Sequence, residues 1–149
     1  MKKIKVLLAA FVLTSMTIVS CSSDDSSGST AAIDGKWNQV KTVFKASGGS
    51  ITQDYEEDTE GCTKNYIEFV TGGVFNDVVY FKQGGECVES MATPGTWVKV
   101  DDELTINDGG FLSGTYDITK LSGSDLQLST TNSEGGITAT TTIYLKKAK

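Results

Sequence analysis

Cys21, Cys62 and Cys87 are the only thiols in a chain of 149 residues, and they carry its most distinctive reactivity. None has a second cysteine two or three residues away, so the C-x-x-C geometry of a redox-active pair is excluded. Carboxylates offer the other candidate chemistry. Asp54, Glu56, Glu57, Asp58 and Glu60 form an acidic run whose oxygens suit a hard ion such as Ca²⁺. The alternating Asp or Asn spacing of a calcium loop is absent, and the run reads equally as a solvated face. Asn107-Asp108-Gly109-Gly110 has calcium-loop residue types, but these are also ordinary turn formers, and a turn is the expectation. No metal site is expected.

Catalysis has little to work with. The sequence contains no histidine and no arginine. That removes Ser-His-Asp and Cys-His pairs, imidazole metal sites and the bidentate clamp for phosphate or carboxylate. Nothing marks out one pair of carboxylates for glycoside hydrolysis, whose geometry is a three-dimensional matter. The expectation is a protein with no catalytic residues and no cofactor.

Cys21 stands at the end of an export signal. Lys2, Lys3 and Lys5 precede an apolar run from Val6 to Val19, and Ile18-Val19-Ser20-Cys21 follows. The run is about 14 residues, short of the roughly 20 that span a bilayer as a helix, so it reads as a cleaved segment. The last four residues resemble the bacterial lipobox. That resemblance implies a diacylglycerol and an N-acyl chain on Cys21, which becomes the mature N-terminus; the alternative is an ordinary signal with a chance cysteine. Residues 1–20 are then the signal peptide and 21–32 a lipidated cysteine with a flexible polar tether, Ser22 to Ala32 being too small and polar to fold. Asp24 and Asp25 resemble the acidic tags that send some lipoproteins to the cell exterior, or else merely solubilise the tether. The expected location is the outer membrane, lipid-anchored and facing outward.

With Cys21 lipidated, Cys62 and Cys87 remain as a pair in an oxidising compartment. A structural disulfide is the expectation, with free thiols as the alternative. It would close a loop of about 26 residues, worth roughly 3.5 kcal/mol by chain entropy. Around the Gly72-Gly73 turn Cys62 mirrors Gln83, so Cys87 overshoots, and Gln83-Gly84-Gly85-Glu86 must fold the excess back. Three of the 13 lysines fall within 1–20, so ten lysines face 19 acidic residues in the remainder. That balance argues against nucleic acid or an anionic lipid surface as partner.

From Ile33 onward the pattern has period two, and residues 33–149 read as one domain. Ile137, Ala139, Thr141, Ile143 and Leu145 alternate with Thr138, Thr140, Thr142 and Tyr144, which is a half-buried strand. Leu104 with Ile106, Tyr116 with Ile118, and Leu126 with Leu128 follow the same rule. Trp37–Ala46, Asn65–Val70, Val74–Phe81 and Thr96–Val100 complete eight strands. Glycine-rich turns join them, so neighbours pair as an antiparallel meander. Closing eight such strands gives an all-β, up-and-down barrel with no substantial helix and no exposed edge. Val78-Val79-Tyr80-Phe81 is apolar on both faces, which requires cover on both sides, a bulge or a surface patch. Residues 48–60 read as a loop long enough to lie over one barrel end. A membrane-spanning barrel is rejected, because several strands have five to seven residues where about nine to eleven are needed.

Gly35-Lys36-Trp37 opens the first strand and Gly95-Thr96-Trp97 a middle one. With Tyr66-Ile67-Glu68-Phe69, Gly73-Val74-Phe75, Leu104-Thr105-Ile106, Tyr116-Asp117-Ile118, Leu126-Gln127-Leu128 and the Lys-rich end, the chain resembles the lipocalin-like domain of bacterial surface lipoproteins over about residues 33–147. The resemblance implies a barrel whose Gly-x-Trp indole plugs one end, crossed by a cation from the last strand. Lipocalins use arginine there; here only Lys146 or Lys147 is present. It also implies non-catalytic binding of a small apolar or amphiphilic ligand. The rival class is a protein-interaction or scaffold module, and Ser113-Gly114-Thr115-Tyr116 adds a third reading, similarity to lysozyme-inhibitor lipoproteins. Large inward aromatics favour a packed interior. A continuous apolar cavity of roughly 300 Å³ or more would favour a ligand, and a filled interior with an exposed apolar patch a protein partner.

Overall fold

The computed structural model describes residues 32–55 and 61–149. The signal segment, Cys21, the tether up to residue 31 and the acidic residues Glu56, Glu57, Asp58 and Glu60 lie outside the described residues. Among the described residues there are ten strands and no helix.

Eight of the ten close a ring. They are β1 (Gly35–Ala46), β3 (Tyr66–Val70), β4 (Val74–Gln83), β6 (Gly95–Val100), β7 (Glu103–Asn107), β8 (Gly114–Leu121), β9 (Asp125–Glu134) and β10 (Ile137–Lys147). Neighbours in the ring pair antiparallel, and β10 returns to β1 with Trp37 opposite Lys147 and Thr42 opposite Ile143. These are the eight strands that the alternation predicts. The remaining two were not foreseen. β2 (Gly49–Asp54) folds back on the distal half of β1, and β5 (Glu86–Met91) folds back on the distal half of β4.

Part of the expected 48–60 loop is therefore strand. β2 is exposed along its whole length and carries a single apolar side chain, Ile51, so no burial pattern marks it. Its backbone pairing with β1, from Lys41 opposite Asp54 to Ala46 opposite Gly49, is what makes it a strand. β5 has the same origin: only Val88 is even half-buried, and the pairing Gln83 to Glu86 fixes the hairpin.

The register of the ring follows the alternation. Leu104, Ile106, Tyr116, Ile118, Leu126, Leu128, Ile143 and Leu145 are all buried in one core with Trp37, Phe69 and Phe75. Leu104 faces Tyr116, Leu128 faces both Ile118 and Ile143, and Leu126 faces Leu145, so the inner rows match strand by strand. Thr105, Asp117, Gln127 and Thr142 take the opposite face, where Thr105 and Thr115 hydroxyls meet at 3.1 Å and Ser129 and Thr142 at 3.2 Å. A register shift between Ile118 and Lys120 absorbs Thr119 and lets Leu121 pair with Leu126.

Cys62 and Cys87 are joined by a disulfide with Cα atoms 5.6 Å apart. The β4–β5 hairpin folds Cys87 back opposite Lys82, as the excess length requires. The bond ties the segment before β3 to β5. The two-sided apolar stretch on β4 contains no bulge. Val78 is fully buried outside the main core, while Val79 and Phe81 take the face of Phe75 and stay about a third exposed.

Candidate binding site at the open end of the barrel

One end of the barrel is sealed by the two Gly-x-Trp motifs. Trp37 is completely buried and donates its indole N–H to the Ile33 carbonyl at 2.7 Å. The Lys147 ammonium sits 4.3 Å from the Trp37 ring centroid and also donates to the Asp34 carbonyl. Lys147 thus supplies the last-strand cation, and burial holds its pKa below the ordinary lysine value. Lys146 points elsewhere, to Asp125. Gly35 explains the motif: its φ is +107° and a Cβ there would meet Lys147 Nζ at 2.9 Å.

The second motif works by the same economy of space. A Cβ on Gly95 would meet the Asn107 carbonyl oxygen at 2.5 Å. Trp97 packs edge-on against Phe69 at 5.5 Å between ring centroids and donates its N–H to the Val70 carbonyl at 3.0 Å. Both tryptophans are spent on sealing and neither lines an open cavity. Above them Phe75, Ile106, Leu126 and Leu128 are fully buried and pack the interior.

Two adjoining clefts lie toward the other end. An inner cleft of about 150 Å³ is lined by Gln39, Tyr55, Ile67, Asp77, Val79 and Leu112, with Asn65, Tyr66 and Phe111 at its edges. It adjoins an open cleft of about 670 Å³ that shares Gln39, Tyr55 and Phe111 and adds Thr42, Phe44, Gln53 and Asp54. Farther out, Phe44, Ile51, Ala46, Ala139 and Thr141 line about 340 Å³ on the projecting hairpins. Phe111 is 80% exposed and Ile51 71% exposed. The mouth is therefore a lipped, partly apolar basin over a filled core.

Two devices build it. β1 pairs with β3 only through Gly35–Trp37 and gives its distal half to β2, after a bulge that falls at Val40. β4 likewise pairs with β6 through Val74 and Phe75 and gives its distal half to β5. The two hairpins rise past the closed ring. Tyr55 is set on the wall by its backbone N–H to the Val40 carbonyl at 2.9 Å and by Asn65 Nδ2 donating to its hydroxyl at 3.1 Å. Asn65 Oδ1 in turn accepts the Tyr80 N–H at 2.7 Å.

Asp77 is the unusual group in this basin. It pairs with Ile67 across β3 and shares the inward face of Phe75 and Val79. Burial raises its carboxyl pKa above the ordinary aspartate value, with the nearby Asp108 charge adding to the effect. Sequence reasoning passed over Gln39, Tyr55, Asp77 and Phe111. For Asp77 a signal existed, a charge on the apolar row Phe75, Val79, Phe81; for the others only the fold brings them together.

The remaining candidates resolve into structural roles. Asp108 Oδ1 accepts the Gly110 N–H at 2.8 Å, and Ser113 Oγ accepts the Gly109 N–H at 2.8 Å, so Asn107-Asp108-Gly109-Gly110 is a closed turn. Tyr116 is a core residue whose hydroxyl donates to the Leu112 carbonyl at 3.1 Å. The Ser113-Gly114-Thr115-Tyr116 motif is thus committed to a turn and the core. Outside the barrel, Lys36, Lys64, Lys146, Lys147 and Lys149 share a cleft of about 750 Å³. Positive charge is concentrated in one place although the chain is acidic.

A closed eight-stranded antiparallel barrel, sealed at one end by a Gly-x-Trp indole and open at the other, defines a lipocalin-type architecture. The sequence profile of the lipocalin-like domain matches residues 33–128, and the chain belongs to that family. Among solved structures it is similar to a deswapped triple mutant of bovine odorant binding protein, at 20% identity over 77% of this chain and 73% of that one, with a TM-score of 0.38. It is also similar to bovine odorant binding protein in complex with undecanal, at 16% identity, 85% and 77% coverage and a TM-score of 0.40. Japanin from Rhipicephalus appendiculatus bound to cholesterol matches at 12% identity, 76% and 74% coverage and a TM-score of 0.41. No curated protein matches the chain.

Proposed function

We propose that the protein is a lipid-anchored outer-membrane lipoprotein, displayed on the cell exterior, whose barrel binds a small apolar or amphiphilic molecule at its open mouth. The observation that carries the binding role is the basin over the core, about 150 Å³ and 670 Å³ sharing Gln39, Tyr55 and Phe111. The inner cleft alone is smaller than the roughly 300 Å³ of a ligand cavity, and the open cleft beside it supplies the remaining contact, with exposed aromatics at the rim offering area at low entropic cost. Membership of the lipocalin-like family is consistent with such a role. The anchor rests on the lipobox ending at Cys21 and the exterior location on Asp24 and Asp25.

Calorimetric titration of the soluble domain with decanol tests the binding role: saturable one-to-one binding is expected, and heats that never saturate below the solubility limit would sink it. Cys21→Ala should release the protein from the membrane fraction; a variant still bound after a high-salt wash would place the anchor elsewhere. A second reading, a protein-interaction module, is favoured by the packed interior together with Val98 and Val100, which are 58% and 61% exposed on β6. Cross-linking in its own cells that captures a protein through β6 would favour it.

A further inference from the structure

We propose that the open mouth selects amphiphiles carrying a protonated amine, with Asp77 as the anion that receives the ammonium group. This rests on the mouth being a ligand site, as proposed above, and adds the chemical class of the ligand. Asp77 lies in the inner cleft, half-buried, between apolar Ile67, Val79 and Leu112 and polar Gln39, Tyr55 and Asn65. Its side chain has no hydrogen-bond or ion-pair partner among the described residues, while its backbone carbonyl accepts the Ala92 N–H at 3.1 Å. A partly desolvated carboxylate left without a cation costs free energy that a partner would recover.

The surroundings fit a cation and reject an anion. No lysine lines either cleft, and the other carboxylates in reach are Asp54, which lines the open cleft, and Asp108, whose charge acts on Asp77. Tyr55 and Phe111 line the basin, and aromatic rings both attract an ammonium and cover an alkyl chain. An inner cleft of about 150 Å³ is large enough for a primary ammonium and a few methylenes. The tail then runs out between Phe111 and Phe44 toward the apolar hairpin surface.

Decylamine, decanol and decanoate share a chain length and differ in head group. Calorimetric titration of each, below its aggregation limit at pH 7, reads the preference. Decylamine should bind about tenfold or more tightly than decanol, the scale of a hydrogen bond to a charged group, and decanoate weakest. Asp77→Asn should bring decylamine down to the decanol level and leave decanol unchanged. The raised carboxyl pKa means that ionised Asp77 opposes folding at neutral pH, so the Asn variant should melt no lower than the parent and a folding failure will not mask the result. Equal affinities for amine and alcohol, or a preference that survives in Asp77→Asn, would overturn this inference while decanol binding still upholds the binding role. Failure of all three compounds to bind would overturn both.

Discussion

At the residue scale the most informative contrast lies between adjacent positions on β9. Leu128 is fully buried between Ile118 and Ile143, while Gln127 takes the outer face opposite Tyr144. Leu128→Ala should cost about 2–5 kcal/mol through lost burial and a residual cavity, and Gln127→Ala should stay within about 0.5 kcal/mol of neutral. Urea denaturation of both variants checks the register, since a one-residue slip would reverse the two results. Lys147 offers a second test. Lys147→Ala removes a cation from the Trp37 face and should lower stability by about 1–2 kcal/mol, whereas Lys147→Arg keeps the charge, adds a planar group that can stack on the indole, and should recover most of it. A silent alanine variant would mean that the seal depends on Trp37 packing alone.

At the element scale the two hairpins that rise past the ring are the components with least burial of their own. β2 is exposed throughout, and β5 buries no side chain fully. What holds β5 beyond its pairing with β4 is the Cys62–Cys87 bond, which ties it to the segment before β3. Cys87→Ser should therefore lower stability by about 2–4 kcal/mol, read by thermal or urea denaturation. Its local signature should be faster amide exchange in Glu86–Met91 than in Leu126 and Leu128, which belong to the closed ring. Exchange unchanged in β5 would show that backbone pairing alone suffices to hold it.

At the scale of the whole molecule, the sealed end and the proposed binding site occupy opposite ends of one barrel. Trp37, Trp97, Phe69 and Phe75 pack the sealed end, and Phe44, Tyr55 and Phe111 stand exposed or half-exposed at the other. Phe111→Ser should weaken decanol binding by about tenfold, the scale of losing most of an aromatic contact area, with little change in melting temperature. Unaltered affinity would remove the mouth from consideration as the site. The uneven charge also belongs to this scale. Five lysines share one outer cleft in a chain whose acidic residues outnumber its lysines 19 to 13, a grouping that summed charge conceals.

Most of the barrel was legible in the order of residues, for a physical reason. In an antiparallel ring with a packed interior, inward positions recur every second residue, so Leu104, Ile106, Leu126 and Leu128 announce both their strands and their faces. The cysteine pairing and the Gly-x-Trp seals were equally readable, since each depends on residue types that have few other uses. β2 and β5 were not, because they are strands by backbone pairing with β1 and β4 and bury almost nothing. The choice of Lys147 over Lys146 depended on which neighbour faces Trp37 across the β1–β10 pairing, a parity set by closure. The mouth was the least legible part. Gln39, Tyr55, Asp77 and Phe111 come from four separate stretches, and only the closure of β10 on β1, with the splaying of two hairpins, brings them around one basin.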